Sequence, residues 1–198
     1  MNDLLLSEEG QTPLTGDDLL GLKLPHITTR GQLNIVEQKN ILRAVSETAG
    51  RKFAPEKILT EDFLVRLHRR MLSDVWRWAG TFRQMETTIG VDPREVRPEL
   101  RKLLADAQYW VSHKTYPPDE LCIRFAHRLV AIHVFPNGNG RHSRLVADLL
   151  VKSLDRPEFT WGMGSGLSGA ELRSRYVAAL RSADDHDVGP LIAFARLA

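Results

Sequence analysis

Apolar residues recur at helical spacing along most of this chain and divide it into short amphipathic segments. Leu33, Val36, Ile41 and Val45 mark a helix over 29–49, which Gly50 stops. Phe63, Leu64, Leu67 and Met71 share one face of a helix over 61–75. Thr60 can cap that helix, and Glu61 and Asp62 suit the dipole of its first turn. Val96, Leu100, Leu103, Leu104, Ala107 and Trp110 predict a helix over 94–113. Pro117, Pro118, Asp119 and Glu120 then open another, with proline first and acids in the first turn. Its buried face runs through Cys122, Phe125, Leu129 and Ile132. A glycine-containing loop over 136–140 precedes a helix over 141–154. Ser168 and Glu171 form a capping box for a helix ending near Ala183, and Gly189-Pro190 opens the last one.

The stretch over 81–91 differs in kind. Thr81, Phe82, Thr87, Thr88, Ile89 and Val91 are mostly β-branched or aromatic, so strand is expected here alone, as a small hairpin. No Asn-Gly pair marks its tip. Upstream, 1–28 reads as a polar N-terminal arm with an apolar patch at Leu19, Leu20 and Leu22 and a helical turn or two. The expected class is mainly α with one small β-hairpin, as an arm followed by one domain over 29–198.

Composition narrows the setting. A chain of 198 residues, 42% hydrophobic, can bury a real core in a single domain. A net charge of +2 is too weak to argue for nucleic acid. Cys122 is the only cysteine, so no intramolecular disulfide can form and a reducing cytoplasm is the natural setting. No apolar run approaches a membrane span, and the N-terminus lacks the basic flank and apolar stretch of a signal peptide.

Candidate chemistry is concentrated in 132–145, Ile-His-Val-Phe-Pro-Asn-Gly-Asn-Gly-Arg-His-Ser-Arg-Leu. A buried helix ends, a loop with two glycines follows, and a new helix starts with two arginines three residues apart. Glycines let a backbone curl and aim several N–H groups at one point, and a helix start adds N–H donors and a positive dipole end. Arg141 and Arg144 can lie along one helix face and grip phosphate oxygens. His133, at the end of an apolar helix, can stay neutral near pH 7 and accept a proton from a hydroxyl. A base beside a phosphate cradle is the minimum equipment for phosphoryl or nucleotidyl transfer. His127 and His142 show no metal-ligand spacing, and Gly162–Gly166 lacks the Lys-Ser/Thr ending of a phosphate loop and reads as a connector.

Residues 133–144 resemble the signature of the Fic (Fido) family, His-x-Phe-x-(Asp/Glu)-Gly-Asn-Gly-Arg-x-x-Arg, differing at one defined position, Asn137. Softer likeness extends from Leu33 to Phe194. It includes Trp78-Ala79-Gly80-Thr81-Phe82-Arg83, which looks like the family's entry to its hairpin, and Tyr176-Val-Ala-Ala-Leu. Among subgroups the chain looks most like the bacterial one called mobile mystery protein B. The resemblance implies a Fic-type helical bundle with a hairpin flap over 81–91, and a protein adenylyltransferase moving AMP from ATP to a Ser, Thr or Tyr hydroxyl. His133 would be the general base. Gly138, Asn139 and Gly140 would form the anion hole, with Arg141 on the β-phosphate side and Arg144 on the γ-phosphate. Mg²⁺ would bridge phosphates beside Asn137, whose amide brings no negative charge to a hard cation.

Two remote features enter through the same resemblance. Many Fic proteins carry an inhibitory helix with a (Ser/Thr)-x-x-x-Glu-(Gly/Asn) motif, whose glutamate pairs with the second signature arginine. Glu37, in the helix over 29–49, is the natural match, although Leu33 and Gln38 depart from the motif. The flap, at Thr87, Thr88 and Ile89, would align the target main chain by strand addition. The partner would be a protein carrying a hydroxyl, self-modification included. Other readings are a hydrolase removing AMP, another Fic-type phosphotransferase, or a non-catalytic module binding a nucleotide or a partner.

Overall fold

The computed structural model describes Leu4, Leu14 and residues 16–198; the rest of the expected arm lies outside the described residues. The helices are α1 (Gly16–Leu20), α2 (Arg30–Ala49), α3 (Pro55–Ile58), α4 (Glu61–Leu72), α5 (Val96–His113), α6 (Pro118–Ile132), α7 (Asn139–Ser153), α8 (Gly169–Asp184) and α9 (Gly189–Ala195). A 3-10 turn, Pro93–Glu95, leads into α5. The expected helices form within a few residues of their predicted bounds, and α3, too short for a periodic signal, is additional.

α7 is the centre of the molecule. His142, Ser143, Leu145, Val146, Ala147, Leu149, Leu150 and Val151 are all buried on it, so it is wrapped on nearly every side. α6 packs along it, α5 covers α6, α3 and α4 close another flank, and α8 pairs with α9, which itself packs on α6. Each fully buried large apolar side chain, such as Phe125 or Leu103, contributes roughly 1.5–3 kcal/mol. Described arm residues are tied to the tryptophan corner. Lys23 donates its N–H to Val75, Arg77 donates to Gly21, and Leu22 and Trp76 form an antiparallel bridge.

α2 departs from the expected apolar face. Its inward stripe is Leu33, Glu37, Asn40, Ala44 and Thr48, while Val45 is 36% exposed. Polar side chains can occupy that stripe because partners reach them. Asn40 Oδ1 accepts from the Asp74 N–H at 3.1 Å, and its amide donates to the Arg70 carbonyl at 3.3 Å. The helix is started by a capping box between Thr29 and Gln32.

The expected hairpin is absent: 81–91 contains no strand among the described residues. Its backbone bonds to the loop after α6 instead of to itself. Arg83 donates its N–H to Val134 at 3.1 Å and Val91 to Ile132 at 3.5 Å. The segment is therefore an open arch whose two feet stand on Val134 and on Ile132, the last residue of α6, and Gly90, at φ 115°, bends the chain just before the second foot.

Candidate active site

The site begins where α6 runs out. His133 caps the helix in the left-handed region, at φ 57° and ψ 61°, a conformation that costs a non-glycine residue about 1–2 kcal/mol. The buried Arg83 side chain meets the carbonyls stranded there. Its Nε donates to the His133 carbonyl at 2.5 Å and its Nη2 to that of Ile132 at 3.3 Å. The same guanidinium donates to the Met85 carbonyl at 3.1 Å and to that of Val91. Burial and the nearby Arg83 charge lower the His133 pKa to about 4, so the imidazole is neutral at pH 7. The Val130 carbonyl acts on the ring in the opposite sense and is outweighed.

The loop then turns inward. Phe135 stacks on His68 with ring centroids 3.7 Å apart. The Asn139 side chain closes a reciprocal pair with Phe135, accepting its N–H at 2.9 Å and donating to its carbonyl at 2.7 Å. That side chain shapes the loop, and only its backbone is left to face a ligand. Gly138 precedes α7 at φ 79°, and a Cβ there would lie 2.7 Å from Leu72 Cδ1. Only glycine suits both the dihedral and the approach to α4. Asn139, Gly140 and Arg141 form the first turn of α7, where a helix leaves N–H donors without intrahelical partners.

His68 locks this loop and was missed in the sequence, although it lies on the buried stripe of α4 between Leu64 and Met71. Its Nδ1 accepts from the Gly80 N–H at 3.0 Å, which makes its Nε2 the donor to the Asn137 carbonyl at 2.9 Å. His142 likewise donates to the Leu64 carbonyl at 3.0 Å. Both rings are buried, and burial lowers both pKa values, that of His142 to about 4. His127 instead lies on α6 beside Asp184 of α8.

The arginines diverge. Arg141 donates to Glu37 Oε2 at 2.7 Å, and Glu37 Oε1 accepts from Trp76 Nε1 at 2.6 Å. Arg144 lies over the Tyr176 ring at 4.8 Å. Glu37 therefore grips the first signature arginine and not the second, because Arg144 faces α8 while Arg141 faces α2. Asn137 is 7% exposed, and its Oδ1 accepts from the Gly138 N–H at 2.6 Å. On the arch, Thr88 and Ile89 are exposed, and Thr87 donates its hydroxyl to the Ile89 carbonyl at 2.5 Å. Asp148, one turn beyond Arg144, accepts from Trp161 Nε1 at 2.8 Å, and burial pushes its carboxyl up to about 7.

By fold the chain is a helical domain organised around the start of one central helix. Residues 58–151 match the model of the Fic/DOC family. This stretch, just under half of the chain, is similar to a Fic/DOC domain and includes the whole loop over 133–144. It is similar to the protein adenylyltransferase Fic of Drosophila grimshawi, 27% identical over 136 residues, 66% of this chain and 26% of that protein. The Drosophila melanogaster protein of the same name is also 27% identical, over 135 residues. The chain thus spans about a quarter of the length of these relatives. Among solved structures, Fic-1 from C. elegans superposes with a TM-score of 0.65 at 24% identity, covering 87% of this chain and 49% of that one. BepC from Bartonella tribocorum, solved with bound AMPPNP, superposes with a TM-score of 0.66 at 14% identity, covering 99% and 96%. At these identities the structural likenesses establish the fold.

Proposed function

We propose that this chain is a protein adenylyltransferase that moves AMP from ATP to a Ser, Thr or Tyr hydroxyl of a protein, self-modification included. The observation that carries the reading is the neutral, buried His133 beside the start of α7, with Arg141 and Arg144 on that helix. The target oxygen attacks the α-phosphorus, and the bond from that phosphorus to the bridging oxygen breaks. Pyrophosphate leaves and His133 takes the hydroxyl proton. The backbone N–H groups of Asn139 and Gly140 and the two guanidiniums meet the phosphate charge, while the Gly138 N–H, held by Asn137 Oδ1, has to be released to join them. The names of the Drosophila relatives and the AMPPNP in BepC support the same reading.

Glu37 gives the described form its state. With Arg141 held by Glu37, the nucleotide must displace a carboxylate to reach the first arginine, so the site is restrained. The arch at Thr87, Thr88 and Ile89 offers exposed backbone beside the His133 loop for a target main chain. Mg²⁺, implied by the family resemblance, finds a poor fit in these residues. Asn137 is neutral, its oxygen is taken by Gly138, and no group of three or more His, Cys, Asp or Glu among the described residues could hold a metal. No helix among them is long and apolar enough to cross a membrane. A cytoplasmic setting is supported by the single buried Cys122, and the bacterial subgroup by sequence resemblance alone.

Asn137 favours one second reading, a module that binds nucleotide without turning it over. Incubation with ATP labelled at the α- or γ-phosphate separates the readings. Protein-bound label from the α-position alone, lost in His133→Ala, is expected for the transferase. Label from the γ-position alone would overturn it in favour of a kinase-like transfer. ATP binding with no label from either position would leave the binding module.

A further inference from the structure

Arg83 bonds to more of the site's main chain than any other side chain described above. It is 3% exposed, and its guanidinium reaches carbonyls at four places: Ile132, His133, Met85 and Val91. The first two are stranded at the C-terminus of α6, where a positive charge is also favoured by the helix dipole. The other two lie on either side of the arch over 81–91. Its own N–H bonds to Val134, so one residue touches three consecutive positions of the loop that presents the candidate base.

The arch is packed against that base as well. A Cβ at Gly90 would lie 2.7 Å from His133 Cβ and 2.8 Å from Arg83 Nη2. No strand ladder stiffens the arch, so these bonds are what fixes its distance from the imidazole.

We propose that Arg83 is a positioning residue for His133, a single guanidinium that sets both the placement of the imidazole and the closure of the arch over it. This rests on His133 being the base. A polar frame of this kind specifies geometry because two of its bonds, to the Ile132 and His133 carbonyls, are buried, where a lost donor is costly. Arg83 also places a positive charge beside the imidazole, which helps to hold it neutral. Asp92, itself bound by Arg94 through both carboxylate oxygens, is the acid nearest to Arg83 in its electrostatic effect. Charge and carbonyl bonding can therefore be separated by substitution. Arg83→Lys keeps the charge and loses the fork, and Arg83→Gln loses both.

The experiment is an NMR titration of His133 in unreacted protein, with amide exchange at Val91 and steady-state transfer kinetics on the same variants. In Arg83→Gln the His133 titration should move up from its low value towards that of a free imidazole. Arg83→Lys should keep it low while Val91 exchange quickens. Both should lower kcat, by about a hundredfold for a base misplaced by an ångström, with KM for ATP unchanged. A folded Arg83→Gln protein with unchanged His133 titration and Val91 exchange would overturn the proposal. If Arg83→Gln does not fold, Arg83→Lys decides: unchanged Val91 exchange and kcat would overturn it. If titration and exchange shift while transfer is unaffected, the frame stands as a structural clamp and His133 fails as the base. Gly90→Ala, pressing on the same frame from the arch side, should lower kcat without altering the charge at residue 83.

Discussion

Replacing Glu37 with Gln should weaken the fold and tighten nucleotide binding at once. The carboxylate donates nothing and accepts twice, from Trp76 at 2.6 Å and Arg141 at 2.7 Å. Gln keeps an acceptor for the indole and removes the charge facing the guanidinium. Breaking a fully buried ion pair costs about 3–5 kcal/mol, but the Arg141 side chain is 32% exposed against 6% for Glu37. Water can therefore take over part of the arginine's hydration, and a loss of about 1–2 kcal/mol is the reasonable scale. The same amount is what ATP must overcome to recruit Arg141. At 1.4 kcal/mol per tenfold, Glu37→Gln should bind ATP about five- to thirtyfold more tightly. Calorimetric titration with ATP and urea unfolding on one preparation read both quantities, and Trp76 fluorescence reports the release of the carboxylate. Lower stability with unchanged ATP affinity would show that Glu37 is a brace between α2 and α7 and not a restraint on the nucleotide.

Gly138→Ala forces a Cβ into Leu72 at 2.7 Å and keeps a left-handed φ of 79°, so unfolding free energy should fall by about 2–4 kcal/mol, measured in urea. Asn137→Asp restores a charged hard oxygen, and calorimetry should show ATP binding gaining a dependence on Mg²⁺ beyond that of the parent. Acid should destabilise the protein well before its surface carboxylates protonate. His68, His133 and His142 have folded pKa values below the ordinary 6.5, because burial disfavours their charged forms. Their stabilisation is complete above about pH 6.5 and is lost as the pH falls towards 4, since the unfolded chain binds the protons. Asp148, raised to about 7, works in the opposite sense over the same window and offsets one of the three. The net of about two protons predicts a loss of roughly 3 kcal/mol per pH unit below pH 6, and His142→Gln, which keeps a donor for the Leu64 carbonyl, should flatten the slope by about one proton.

Most helices were legible because burial of an apolar stripe is a local signal. Leu100, Leu103, Leu104 and Ala107 on α5 point inward as their spacing predicts. The signature loop was legible for a related reason, since Asn139 bonds to Phe135 only four residues away. What was illegible depends on partners remote in the chain. Glu37 and Asn40 look like solvated residues on α2 until Trp76, Asp74 and Arg141 arrive, 39, 34 and 104 residues along. The stretch over 81–91 has the composition of strand, yet the Arg83 and Val91 donors are spent on Val134 and Ile132, about forty to fifty residues later, and nothing local announces those acceptors. Arg83 follows the buried Phe82 with no periodic mark at all.

A common physical cause runs through these cases. A polar side chain survives in a core only if something satisfies it, so each of these buried polar residues marks a long-range bond. Glu37, His68 and Arg83 each bond to the signature segment from elsewhere in the chain: Glu37 to Arg141, His68 to Asn137 and Arg83 to His133. A polar residue on an otherwise apolar stripe was the available signal for one of these supports. That support is His68, between Leu64 and Met71 on α4. The loop supplies the groups for chemistry, and these three buried side chains decide whether it is held, locked or restrained.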